Sequence, residues 1–144
     1  MPLVYFDSSA LVKLLVDEDG SELVAAMWDG CDAALSSRLA YPEVRAALAA
    51  SGRNHDLDRD QVATAQEVWE EYWATTRPVE LTPTVERHAG QLTSSHSLRG
   101  ADAVHLASAL AIGDPELVFA VWDRRLHAGA QAAHLRVAPL ELNP

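Results

Sequence analysis

Leu3-Val4-Tyr5-Phe6-Asp7-Ser8-Ser9-Ala10 runs four apolar residues straight into three strong helix-capping types. A short apolar run bounded in this way reads as a buried strand that stops at a turn and hands the chain to a helix. The arrangement returns near the other end. Residues 117–121 form a second apolar run, Trp122 and Asp123 follow, and Arg124-Arg125-Leu126 begins a helix that reaches residue 133. Taken alone, Asp7 or Asp123 is accounted for as a helix cap, its short carboxylate accepting from the first free backbone N–H groups. As a pair they carry more, because ligands of parallel α/β sheets gather outside the carboxyl ends of the strands.

Between these anchors the periodicity predicts helices over residues 10–16, 21–28, 38–50, 60–75, 84–96 and 101–112. Short strands are predicted over 33–36, 78–81 and 135–137, with a polar turn at 53–58. Strands alternating with helices predict an α/β fold, a sandwich of helices around a central, mostly parallel sheet. There is no repeat, low-complexity tract or long linker, so one domain over residues 1–144 is expected. On the helix 60–75, Val62, Ala65, Trp69, Tyr72 and Trp73 share a face, which reads as core or subunit interface rather than a ligand box.

Composition narrows the function classes. The chain has 144 residues with 11 Lys+Arg against 21 Asp+Glu, a net charge of −10. The single cysteine, Cys31, excludes an internal disulfide and a cysteine-rich zinc site. No apolar stretch reaches the ~18 residues that span a bilayer, and the start lacks a cationic segment, so a soluble cytoplasmic protein is expected. A nucleic-acid footprint on a generally basic surface goes with a pI above about 9, and the pI here is 4.8. Carboxylates gathered to hold a divalent metal also make a chain acidic, so placement has to decide. The glycine-rich phosphate loop and the dinucleotide fingerprint are absent. A phosphatase of the haloacid-dehalogenase type would need a second aspartate where Ser9 stands.

Most of the acids belong to solvated runs such as Asp17-Glu18-Asp19. Besides Asp7 and Asp123, two others do not. Glu43 shares its helix face with Leu39, Ala46, Ala47 and Ala50, so the spacing predicts that it points inward from a buried stripe. A carboxylate there needs a partner or a metal, and Glu43→Gln is expected to relieve the metal-free protein. Asp102 opens the helix 101–112, which is apolar nearly all round, and its charge suits the helix dipole there. His105, one turn on, reads as a hydrogen-bonded histidine that supports the acids. Four carboxylates from four separate elements repel one another unless a cation sits among them. One or two Mg²⁺ or Mn²⁺ ions, which take oxygen ligands, relieve this. Such a site suits in-line hydrolysis of a phosphodiester by an activated water.

The four acids lie in four stretches: Val4-Tyr5-Phe6-Asp7-Ser8-Ser9-Ala10-Leu11-Val12-Lys13, Arg38-Leu39-Ala40-Tyr41-Pro42-Glu43-Val44-Arg45-Ala46-Ala47-Leu48, Leu98-Arg99-Gly100-Ala101-Asp102-Ala103-Val104-His105-Leu106-Ala107 and Val118-Phe119-Ala120-Val121-Trp122-Asp123-Arg124-Arg125-Leu126. In this order and at these spacings they resemble the motifs of the PIN-domain ribonucleases, in particular the VapC-like toxins of type II toxin–antitoxin pairs, over nearly the whole chain. The resemblance implies a PIN-like α/β/α sandwich with Asp7, Glu43, Asp102 and Asp123 as catalytic, metal-ligating residues. It implies a Mg²⁺- or Mn²⁺-dependent endoribonuclease, a cognate antitoxin covering the acidic site, a homodimer, and DNA contacts only through the antitoxin. An acidic toxin suits an antitoxin whose inhibitory segment is basic. Ser8, Lys13, Arg99, His105, Arg124 and Arg125 are candidates for supporting the acids or contacting RNA phosphates. The family often carries Thr or Ser two residues before the fourth acid, where this chain has Val121, so a hydroxyl is missing there. A PIN-like nuclease of RNA processing and a silent binding module are the alternatives. The presence of all four acids favours cutting.

Overall fold

The computed structural model of the chain describes residues 2–143. Five strands, β1 (Leu3–Phe6), β2 (Ala33–Ser37), β3 (Arg77–Val79), β4 (Val118–Ala120) and β5 (Arg136–Ala138), form one sheet in the order β3-β2-β1-β4-β5. All four pairings are parallel. The strand read first in the sequence therefore lies at the centre. Parallel neighbours need crossovers, and the helices supply them: α1 (Ser8–Val12), α2 (Ser21–Gly30), α3 (Ala40–Arg53), α4 (Arg59–Thr75), α5 (Pro83–Ser95), α6 (Gly100–Ile112) and α7 (Arg124–Ala132). The expected α/β/α sandwich is the fold. No helix of the described residues is long and apolar enough to cross a membrane.

Side-chain alternation along β1 divides the interior in two. Val4 and Phe6 face a core shared with Leu11, Val24, Val44, Leu48 and Trp69, on the side of α1 to α4. Tyr5 faces the other core, with Phe119, Leu106 and Leu126, on the side of α5 to α7. Trp69 is fully buried and packs 5.5 Å from the ring of Trp73, so the α4 face is core. In α6, Ala103 and His105 to Ala109 are all buried, as expected of a central helix. Its C-cap, Gly113, has φ 70°, a left-handed conformation that glycine adopts without a Cβ clash.

Two expectations are corrected. The helix predicted over 10–16 stops at Val12. Beyond it the backbone tightens into turns, Lys13, Leu14 and Leu15 each donating to the carbonyl three residues back, and the Ser21 hydroxyl then takes the Val16 carbonyl and the Glu18 N–H, both at 3.0 Å. The buried stripe of α3 is Ala40, Val44 and Leu48, one position round from the predicted one, and Ala46 is exposed. Glu43 therefore borders the core rather than sitting in it.

Candidate active site at the carboxyl edge of the sheet

A parallel sheet presents all its carboxyl ends on one edge, and the four acids are delivered there by four connections. β1 leads directly to Asp7, the N-cap of α1, whose backbone N–H donates to the Ala120 carbonyl of β4 at 3.2 Å. Asp7 is 4% exposed. Its Oδ1 accepts from the Ala10 N–H at 2.9 Å and from the Ser9 hydroxyl at 2.6 Å. β4 leads to Asp123, the N-cap of α7, whose Oδ1 accepts from the Leu126 N–H at 2.9 Å. Both aspartates thus cap helices and stand at the sheet edge. Glu43 lies in the first turn of α3, which follows β2, and Asp102 in the first turn of α6.

The acids fall into two bonded groups with Asp7 between them. In the first, Glu43 Oε1 accepts from the Ser8 hydroxyl at 2.6 Å and from His105 Nε2 at 2.6 Å. A carboxylate only accepts, so Nε2 carries a hydrogen. Nδ1 lies 2.8 Å from the Tyr5 hydroxyl, which itself accepts from the Ser37 N–H at 2.9 Å. The chain of bonds from β2 through Tyr5 and His105 fixes where Glu43 points. In the second group, Arg99 Nε donates to Asp102 Oδ2 and its Nη2 to Asp123 Oδ2, both at 3.2 Å.

Electrostatics tie the groups together. Burial pushes the Asp7 carboxyl up to about 6, and the charge of Asp123 adds to this, while the His105 imidazole, the Ser9 hydroxyl and the Ala10 N–H oppose it. Burial, then the charge of Asp123, raises Asp102 against the pull of Arg99. Burial would raise Glu43 too, but His105 and Ser8 outweigh it and hold it below the usual carboxylate range. For both Asp7 and Asp102 the cost of holding a charge out of water outweighs the groups that favour it.

The supporting residues divide differently from expectation. Ser8 bonds Glu43 and not the adjacent Asp7, and His105 is buried and bonds the same carboxylate. Lys13 is turned away: its ammonium bonds Glu18 and the Asp19 carbonyl and lies 5.2 Å from the centre of the Trp122 ring. Arg124 is tied to the Asn143 carbonyl. Two supports escaped the sequence reading. Tyr5 reads as part of an apolar run, and its polar tip is the signal that it does more. Ser9 supplies a hydroxyl that bonds Asp7 and accepts from the Trp122 N–H at 3.0 Å, close to where Val121 lacks one. Val121 itself is fully buried, its N–H paired with the Ala138 carbonyl.

Among the described residues, no three acidic, histidine or cysteine side chains stand close enough to hold an ion as they are. The donor chemistry nevertheless fits a hard divalent cation: carboxylate oxygens, excess negative charge, and a guanidinium already spanning two of the acids. Asp7, Asp102, Asp123 and Glu43 would be its ligands.

Residues 4–129 match the PIN domain model. The chain is 72% identical, over the full length of both proteins, to ribonuclease VapC45 of Mycobacterium tuberculosis strain CDC 1551. Among solved structures it is similar to FitAcB from Neisseria gonorrhoeae, with a TM-score of 0.70 and 18% identity over 98% of this chain and 97% of that one. It also resembles a toxin-antitoxin complex from Klebsiella pneumoniae, with a TM-score of 0.66 and 15% identity over 97% and 99%. At such identities the structures speak for the fold alone. The family model and the full-length relative do more, and with the acids at the sheet edge they lead to one conclusion: the chain belongs to the PIN-domain family, among the VapC proteins.

Proposed function

We propose that the protein is an endoribonuclease, the toxin of a toxin–antitoxin pair, that hydrolyses RNA phosphodiesters at the edge formed by Asp7, Glu43, Asp102 and Asp123. The observation that carries this reading is the delivery of four carboxylates from four connections to one edge, with an arginine bridging two of them. The full-length relative named a ribonuclease supports the activity. Mg²⁺ or Mn²⁺, one or two ions, would supply water activation and charge neutralisation at the phosphate. The chain's own part is positional. Ser9 and the Ala10 N–H fix Asp7, and Ser8 and His105 keep Glu43 ionised and aimed.

An antitoxin partner is supported by the toxin-antitoxin complex of the same fold. A groove of about 840 Å³ beside the α1–α2 connection and the start of α4 has an apolar floor including Leu14, Leu57 and Val68 and an acidic rim of Asp17, Asp56 and Asp60. That is the complement of a basic amphipathic segment. We further propose a homodimer acting in the cytoplasm, with DNA contacts made by the antitoxin.

The test is cleavage of total RNA by the purified protein in Mn²⁺. Discrete fragments are expected, abolished by chelator and reduced more than ~100-fold by Asp7→Asn, in line with the loss of a metal ligand outweighing that of its supports. Cleavage that survives both controls would refute the proposal.

A further inference from the structure

Arg99 holds the N-cap position of α6 yet makes no side-chain capping bond. Its side chain is 68% exposed, while the carboxylates it holds, Asp102 and Asp123, are 15% and 30% exposed. It gives one nitrogen to Oδ2 of each acid, at 3.2 Å in both cases. Those two oxygens belong to different elements, α6 and the cap of α7, and their charges repel. The planar fork of arginine suits such a bridge, which the single ammonium of lysine would not span in the same way. The guanidinium therefore stands where a cation is wanted, on the solvent side, held by exposed pairs that are individually weak.

We propose that Arg99 is a built-in competitor for the divalent cation. It holds Asp102 and Asp123 together in the metal-free protein, releases them when the ion binds, and is then free at the rim of the site to face an RNA phosphate. The inference rests on the metal reading of the four carboxylates. It also explains how acids that share an edge fall short of a closed ligand group: two of them are engaged by the arginine. Arg99 thereby sets the divalent concentration at which the site fills.

The experiment measures Mn²⁺ affinity of the full chain without RNA, by the spin-resonance signal of free Mn²⁺. Arg99→Gln is expected to tighten binding on the order of tenfold, the combined effect of two exposed pairs, and Arg99→Lys to fall between the two. Arg125→Gln removes the same charge two residues from Asp123 on α7, but Arg125 bonds none of the acids, so less than about a twofold change is expected if pairing rather than general field is at work. In a Mg²⁺ titration followed by NMR, the Arg99 Nε–H resonance should move in step with ion uptake. Equal or weaker Mn²⁺ binding by Arg99→Gln, or an Arg99 resonance unmoved at saturation, would overturn the inference while leaving the metal site standing. No Mn²⁺ uptake by any of the proteins at millimolar concentration would remove the metal reading, and this inference with it.

Discussion

Asp7→Asn should stabilise the metal-free protein at neutral pH while destroying its activity. Asp7 is 4% exposed, and burial lifts its carboxyl from an ordinary 3.8 to about 6. At ~1.4 kcal/mol per pH unit, that gap corresponds to about 3 kcal/mol. The sign follows from which state holds the proton more tightly, and here it is the folded one. Below about pH 4 the carboxyl is protonated folded or unfolded, and no penalty applies. Stability is lost as pH rises through about 6, and above that the full penalty is present. Asparagine keeps an oxygen for the Ala10 N–H and the Ser9 hydroxyl but has no charge to bury. Thermal unfolding in chelator at pH 8 should therefore place Asp7→Asn up to about 10 °C above the wild type. The two curves should converge as pH falls from 6 to 4. A variant less stable than wild type at pH 8, or a difference that does not change with pH, would refute the reasoning.

Glu43→Gln should move stability the other way, against the relief expected from an apolar helix face. The fold holds Glu43 in its ionised form, so its stabilisation is present above the ordinary carboxylate range and fades as pH falls; urea midpoints in chelator at pH 7 should be lower for the variant. Ser9→Ala leaves the Trp122 N–H without its acceptor and Asp7 without its hydroxyl, which should cost ~1–3 kcal/mol in denaturant unfolding. Lys13→Gln should leave RNA cleavage within about twofold of wild type, because that ammonium is held by Glu18, the Asp19 carbonyl and an aromatic face; a tenfold loss would place it on the RNA.

The sheet, its parallel sense and the two capping aspartates were legible because strand ends followed by short polar side chains are written locally. The central place of β1 was not, since pairing with both β2 and β4 is a matter of crossover direction that no local stretch encodes. The same division runs through the site. Asp7 and Asp123 betray themselves by position in the chain. Glu43 was found for a reason that proved one helical position off: its neighbours Ala46 and Ala47 are small enough to border solvent, and the larger Val44 and Leu48 took the core. The partners of the acids were the least legible. Ser8 and Ser9 are adjacent and chemically identical, yet one hydroxyl turns to Glu43 and the other to Asp7. Which does which depends on where α1 meets α3 and β4. Tyr5 reads as one more apolar residue until His105 is brought to its hydroxyl.

The central position of β1 has a consequence for how the protein is made. The bonds that complete the site join residues 35, 100 and 113 positions apart: Ser8 to Glu43, Tyr5 to His105, Ser9 to Trp122. The ribosome delivers β1 first, but the strand on one of its flanks, β4, comes after six of the seven helices. Contacts of such long sequence separation form late. A nascent chain carrying Asp7 and Glu43 lacks Asp123 until all but the last 21 residues have been made. For a chain of this family the topology acts as a delay: an unfinished copy does not yet carry all four acids of the sheet edge.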